Sequence, residues 1–204
     1  IEERTVAATV AFTSFMRDLV AARRAEPQND FISQVASAVD AAGQGLTNDE
    51  VVTMGILLLN AGHEATVHAL GNGVRAILAH VPHATAAVVA DPAGHVEEML
   101  RFDAPLHMFT RYALDDVEAA DTTFRKGEVV GLLLGSANRD PGRFAEPDRF
   151  DAARQPNPHV SFGAGIHVCV GAPLARLEMQ VALRVLCERL PGLTIAEPPR
   201  VKDA

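Results

Sequence analysis

Cys169 stands in a loop framed by Gly163, Gly165 and Gly171, with His167 two positions before it and Pro173 four after. Proline is favoured at the first positions of a helix, so the loop runs directly into a helix start. A thiol placed there meets free backbone N–H groups and the positive end of the helix dipole. Both favour the thiolate, the form that attacks carbon or ligates a metal. Two other chemistries fit the same residues. A free cysteine is often a small buried hydrophobe, with glycines marking only a turn. Zinc needs about four ligands, and His167, Cys169 and a distant Cys187 lack the paired spacing of structural zinc.

The elements that must position this loop are mostly helical. The 204 residues are 48% hydrophobic and 22% charged, enough for one sizeable domain with a buried core, and we expect a single domain over 1–204. Helical periodicity runs through Val10, Phe12, Phe15, Leu19 and Val20 until Pro27, and a second helix is predicted over Phe31 to Ala41. Thr47 and Glu50 form a capping box that opens a long helix reaching about His80. Shorter helices are predicted over Pro82 to Ala90 and Ala93 to Phe102. From Thr110 to Gly135 the texture is β-type, with a turn at Arg125-Lys126-Gly127 and Val129 to Leu134 as a buried strand. Asn138 to Pro158 holds four prolines and no periodicity, a loop length that points to function. A final amphipathic helix, Leu174 to Leu190, is read through Leu174, Leu177, Val181 and Val185. The fold class is therefore mainly α with a small β portion (α+β).

A formal net charge of −8 and the lack of any Lys/Arg run argue against a nucleic-acid partner. No apolar run is long enough for a bilayer, so no membrane partner is expected. Two cysteines 18 positions apart make no disulfide framework, and no signal sequence opens the chain, which points to a cytoplasmic location. The chain begins at Ile1 inside a helical pattern and ends at Asp203-Ala204 with no closing element, like a piece of something longer.

The stretch FGAGIHVCVGAPLAR, residues 162–176, resembles the haem-binding signature of the cytochrome P-450 family of haem-thiolate monooxygenases, with Phe162, Gly163, Gly165, His167, Cys169, Gly171, Leu174, Ala175 and Arg176 in register. The resemblance implies that Cys169 is the axial thiolate of haem iron, that Phe162 packs near the sulfur, and that the glycines let backbone N–H groups approach it. Glu98-Met99-Leu100-Arg101 resembles the family's buried Glu–Arg pair, with Arg149 or Arg154 of PDRFDAAR as its third member and a structural role. On spacing alone the pair would be an ordinary surface ion pair. Arg111 in FTRYA and His159 in NPHVSFG occupy positions that the resemblance pairs with haem propionates. Otherwise they read as a solvated strand arginine and a loop histidine.

On the long helix, Ala61, Gly62, His63 and Glu64 are similar to the family's oxygen-handling motif, in which the glycine opens room for dioxygen and the acid and alcohol help deliver protons. The usual threonine position holds Ala65, with Thr66 one residue later. One residue turns a side chain by about 100°, so Thr66 does not replace a hydroxyl at 65. Substrate contacts are expected from Leu57 to Ala61 and Leu106 to Thr110.

The resemblance covers Leu46 to Leu193 and implies a partial cytochrome P-450 fold, its N-terminal half and final strands absent. It implies a monooxygenase that activates dioxygen at Cys-ligated haem to hydroxylate or epoxidise a small apolar substrate. Electrons would come from a ferredoxin-type donor with an NAD(P)H-dependent reductase. Two alternatives stand beside it: a peroxide-driven peroxygenase, which Ala65 leaves open, and a non-catalytic remnant of the fold that binds no haem.

Overall fold

The computed structural model describes residues 2–119 and 121–197; of Glu2 only the backbone is described, and the expected open end at Asp203-Ala204 lies outside these residues. The chain divides into two compact units, residues 1–64 and 65–204, and the division falls within one long helix.

In the first unit α1 (Glu2–Ala25) and α2 (Phe31–Ser37) pack with the start of α3 (Asn48–His80). Met16, Val20, Ala36, Val51 and Val52 form the core. A Cβ on Gly55 would run into Met16 Cε and Ile32 Cδ1, so the glycine is what lets α1 and α2 close on α3. The capping box forms as the spacing predicts: the Thr47 N–H donates to Glu50 Oε2 at 2.8 Å, and the Glu50 N–H to Thr47 Oγ1 at 3.3 Å. By length and composition α1 is apolar enough to cross a membrane. Here, however, Val20 is fully buried in the core, Arg17 pairs with Asp49 at 3.4 Å, and Arg24 donates to Ala36 O at 2.7 Å. The second helix ends at Ser37, before the predicted Ala41, because Asp40 Oδ1 accepts from the N–H groups of Ala42 and Gln44 and Gly43 turns the chain at φ +76°.

The second unit holds the rest of α3, then α4 (Ala84–Ala90), α5 (Pro92–Phe102) and α7 (Ala172–Arg189), around a core that includes Ala69, Ile77, Val88, Val96, Met99, Leu100, Met179 and Leu183. The fourth helix starts two residues later than predicted because His83 adopts a left-handed φ of 51°. Gly73 lets α3 meet α5, for an added Cβ would fall on the Met99 side chain, itself 1% exposed. Gly73→Ala therefore overpacks a filled site, and we expect a loss of about 1–3 kcal/mol by urea denaturation despite alanine's better helix propensity.

Four short strands lie between the helices. β1 (Met108–Tyr112) pairs antiparallel with β4 (Val129–Leu133), and β2 (Val117–Ala119) with β3 (Thr122–Phe124). The predicted turn falls at Gly127, φ +89°. The expected burial of Val129 to Leu134 does not hold. The β1–β4 ribbon is two-stranded, and Val129, Leu132 and Leu133 stay exposed; only Leu134, at the start of α6 (Leu134–Ala137), is buried.

The last helix also corrects the sequence reading. Leu174, Leu177, Val181 and Val185 are exposed, while Ala172, Met179, Leu183 and Cys187 face the core. Both sets recur at helical spacing, about 200° apart at 100° per residue. The helix carries two apolar stripes, and only the second is covered by this unit.

Candidate functional site

Three layers hold the Cys169 loop, and the deepest is a buried ion network. Glu98 and Arg101 are 0% and 1% exposed. Arg101 donates through Nε and Nη2 to the two Glu98 oxygens at 2.8 and 2.7 Å, and its remaining N–H groups reach the carbonyls of Asn138, Pro147 and Arg149. Glu98 also accepts from the Asp151 N–H, Arg154 Nε and Asn157 Nδ2. The choice between Arg149 and Arg154 is thus decided for Arg154; the Arg149 side chain turns outward to Glu146 and lends only its carbonyl. Residues 138–160 contain no helix or strand, yet their carbonyls are tied down by these guanidinium forks. Arg139 completes the tie by donating to Phe102 O and lying 3.8 Å over the Phe102 ring.

The second layer joins that network to the loop through Asn138, which is fully buried. Its side chain accepts from the Val160 N–H at 2.8 Å and donates to Ser161 Oγ at 2.7 Å, and Ser161 Oγ donates onward to Leu100 O at 2.7 Å. Sequence reasoning missed Asn138 and Ser161. Neither residue type is distinctive in a loop, and their partners are 22 to 61 positions away.

The third layer is Glu97, also missed. Its carboxylate accepts from Arg176 Nε at 2.6 Å, Arg176 Nη2 at 3.0 Å and His159 Nε2 at 3.1 Å. His159 Nδ1 accepts from the Ser161 N–H at 3.3 Å, a pattern that places the imidazole proton on Nε2. His159 is therefore engaged at both ring nitrogens, and its side chain is only 1% exposed. Arg111, by contrast, lies exposed on β1 with Thr110 O as a backbone partner. Burial pushes the Glu97 carboxyl up, but the bonds from His159 and Arg176 outweigh it and hold the group at about 2, below its ordinary 4.5. A folded value below the unfolded one means that this stabilisation is present above pH 4.5 and fades toward about 2. The urea midpoint of Glu97→Gln should accordingly fall less steeply than that of the parent chain over that window.

The loop itself is shaped by its glycines. Gly163 and Gly165 adopt φ of +71° and +70°, which favours glycine strongly, and a 3-10 turn covers Gly165–His167. The Cys169 N–H donates to Phe162 O at 2.9 Å, closing the loop on itself. A Cβ on Gly171 would sit 3.9 Å from Cys169 Sγ, so the glycine leaves that side of the sulfur clear. The thiol is exposed, and so are its neighbours Ile166, His167, Val168 and Val170. Cys187 is the buried cysteine, its thiol pushed up by burial.

A protein that holds a metal by itself needs three or more donors, and no such His/Cys/Asp/Glu group occurs among the described residues. Cys169 offers one sulfur donor beside exposed apolar side chains. That donor set fits a metal arriving with its other ligands on a flat apolar ring, which is what haem is. On α3, Leu57 to Glu64 are exposed, and a Cβ on Gly62 would meet nothing within 4 Å, so no packing among the described residues requires a glycine there. Ala65 and Thr66 are half-buried.

The family model described as Cytochrome P450 matches residues 94–190. Cytochrome P450 107B1 of Saccharopolyspora erythraea is 43% identical over 201 residues, 97% of this chain and 49% of that protein. 6-Deoxyerythronolide B hydroxylase of the same organism is 42% identical over 185 residues, 89% of this chain and 46% of that one. Among solved structures, CYP109E1 from Bacillus megaterium in complex with testosterone superposes with a TM-score of 0.90 at 31% identity, covering 98% of this chain and 56% of that one. The chain spans about half the length of the curated relatives it matches. On these matches, together with the Cys169 loop and the Glu98–Arg101–Arg154 network, the chain belongs to the cytochrome P450 family and carries the C-terminal part of its fold.

Proposed function

We propose that this chain is the haem-ligand portion of a haem-thiolate monooxygenase, with Cys169 as the axial ligand. The observation that carries the reading is an exposed thiol in a glycine-shaped loop before α7, beside apolar residues and with no multidentate donor group among the described residues. When bound, a thiolate-ligated haem supplies dioxygen activation, since the sulfur donates electron density that favours O–O cleavage. Phe162, Gly163, Gly165 and Gly171 would set the position and clearance of the sulfur. His167 and Arg111, both exposed, would supply charge-assisted bonds to the haem carboxylates. The resemblance pairs His159 with a haem carboxylate as well, and here its Nε2 lies 3.1 Å from Glu97 Oε2.

On α3, Ala61 and Gly62 match the family's stretch that leaves room for dioxygen, and Glu64 and Thr66 would be its proton-handling groups. Ala65 puts a methyl where the family's pattern has an alcohol. The proton then comes through Glu64, ordered water or a hydroxyl on the substrate, so Ala65→Thr should leave product formed per electron consumed unchanged. A rise would show that the missing hydroxyl was limiting.

The substrate class is a small apolar organic molecule, and the electron donor a ferredoxin-type protein with its NAD(P)H-dependent reductase. Turnover with such a pair and isotopically labelled dioxygen tests this: one labelled oxygen in the product is expected. Product formed with peroxide alone, and none with the reductase pair, would establish the peroxygenase reading that Ala65 leaves open.

A further inference from the structure

Two adjacent glutamates on α5 do different things. Glu98 turns into the fully buried network with Arg101 and Arg154, while Glu97, about 100° around the helix, faces His159 and Arg176. Those two residues both lie against one ring: the Arg176 guanidinium is 4.6 Å from the Phe162 centroid, and the His159 ring 6.1 Å from it. Phe162 is the residue whose carbonyl accepts from the Cys169 N–H. An unbroken chain of contacts therefore runs from Glu97, through His159 and Arg176, to Phe162 and the backbone of Cys169. Arg176 grips with a two-toothed fork, which fixes direction as well as charge.

We propose that Glu97 is the positioning residue of the Cys169 loop, holding the thiol in place through His159, Arg176 and the Phe162 ring that both contact. Its meaning for catalysis rests on the reading of Cys169 as the haem ligand, but the positioning itself does not.

Hydrogen exchange on the full chain tests the positioning without haem. In Glu97→Gln the Cys169 amide should exchange on the order of tenfold faster, while the Met179 and Leu183 amides in the buried face of α7 keep their rates. Arg176→Lys keeps the positive charge but loses the fork, and should speed the same amide by an intermediate factor. Should Glu97→Gln not fold, Arg176→Lys decides the matter by the same comparison. An unchanged Cys169 amide overturns the proposal, and so does a uniform acceleration that includes Met179 and Leu183, which would make Glu97 an ordinary stabilising residue. In haem-loaded protein, Glu97→Gln should also lower the fraction of the reduced carbon-monoxide complex showing thiolate-type absorbance at equal total haem. If the parent lacks that absorbance, the ligand reading of Cys169 fails, and the exchange rates still decide what Glu97 does.

Discussion

Replacing Arg101 with alanine is expected to cost about 3–5 kcal/mol of folding stability, the loss typical of breaking a buried ion pair from one side. The reason lies in what remains behind. Glu98, 0% exposed, loses two charge-assisted bonds of 2.7 and 2.8 Å, and the carbonyls of Asn138, Pro147 and Arg149 lose donors in a segment with no helix or strand of its own. Arg154 still reaches both Glu98 oxygens, but only at 3.3 Å and through one nitrogen. Arg101→Lys should recover only part of the loss, because one ammonium cannot fill five directed bonds. Urea denaturation measures both. A cost for Arg101→Ala below about 1 kcal/mol would place the pair with exposed salt bridges and contradict the buried network.

The loss should also be felt at a distance. Arg101 holds Asn138 O, the Asn138 side chain holds the Val160 N–H and Ser161 Oγ, and Ser161 begins the loop that carries Cys169. Stability of the irregular segment and geometry of the thiol are therefore one problem for this sequence.

Much of this was legible in the residues. The capping box, the Gly127 turn and the helix order follow from local rules, and they hold. What local rules could not supply was which partner each element meets. The α7 stripe through Leu174 and Leu177 has the same periodicity as the one through Met179 and Leu183, and periodicity does not say which the core covers. Val129 to Leu133 has the composition of a buried strand but receives no covering layer. Glu97 sits beside Glu98 in sequence, and only the turn of α5 assigns one to the buried network and the other to His159 and Arg176. Nothing local to His159 says that its two nitrogens go to Glu97 and Ser161.

The central claim is that Cys169 is the axial ligand of haem iron, and Cys169→Ala carries the largest functional effect expected. The variant removes the one exposed sulfur of the loop, and the buried Cys187 cannot replace it. Alanine leaves the backbone bond from residue 169 to Phe162 O intact, so fold and function separate cleanly. The deciding measurement is the absorbance of the reduced, carbon-monoxide-treated protein. The account predicts a thiolate-shifted Soret band in the parent that disappears in Cys169→Ala while the far-ultraviolet circular dichroism stays the same. A thiolate-shifted band that persists in Cys169→Ala, or its absence from the haem-treated parent, would contradict it.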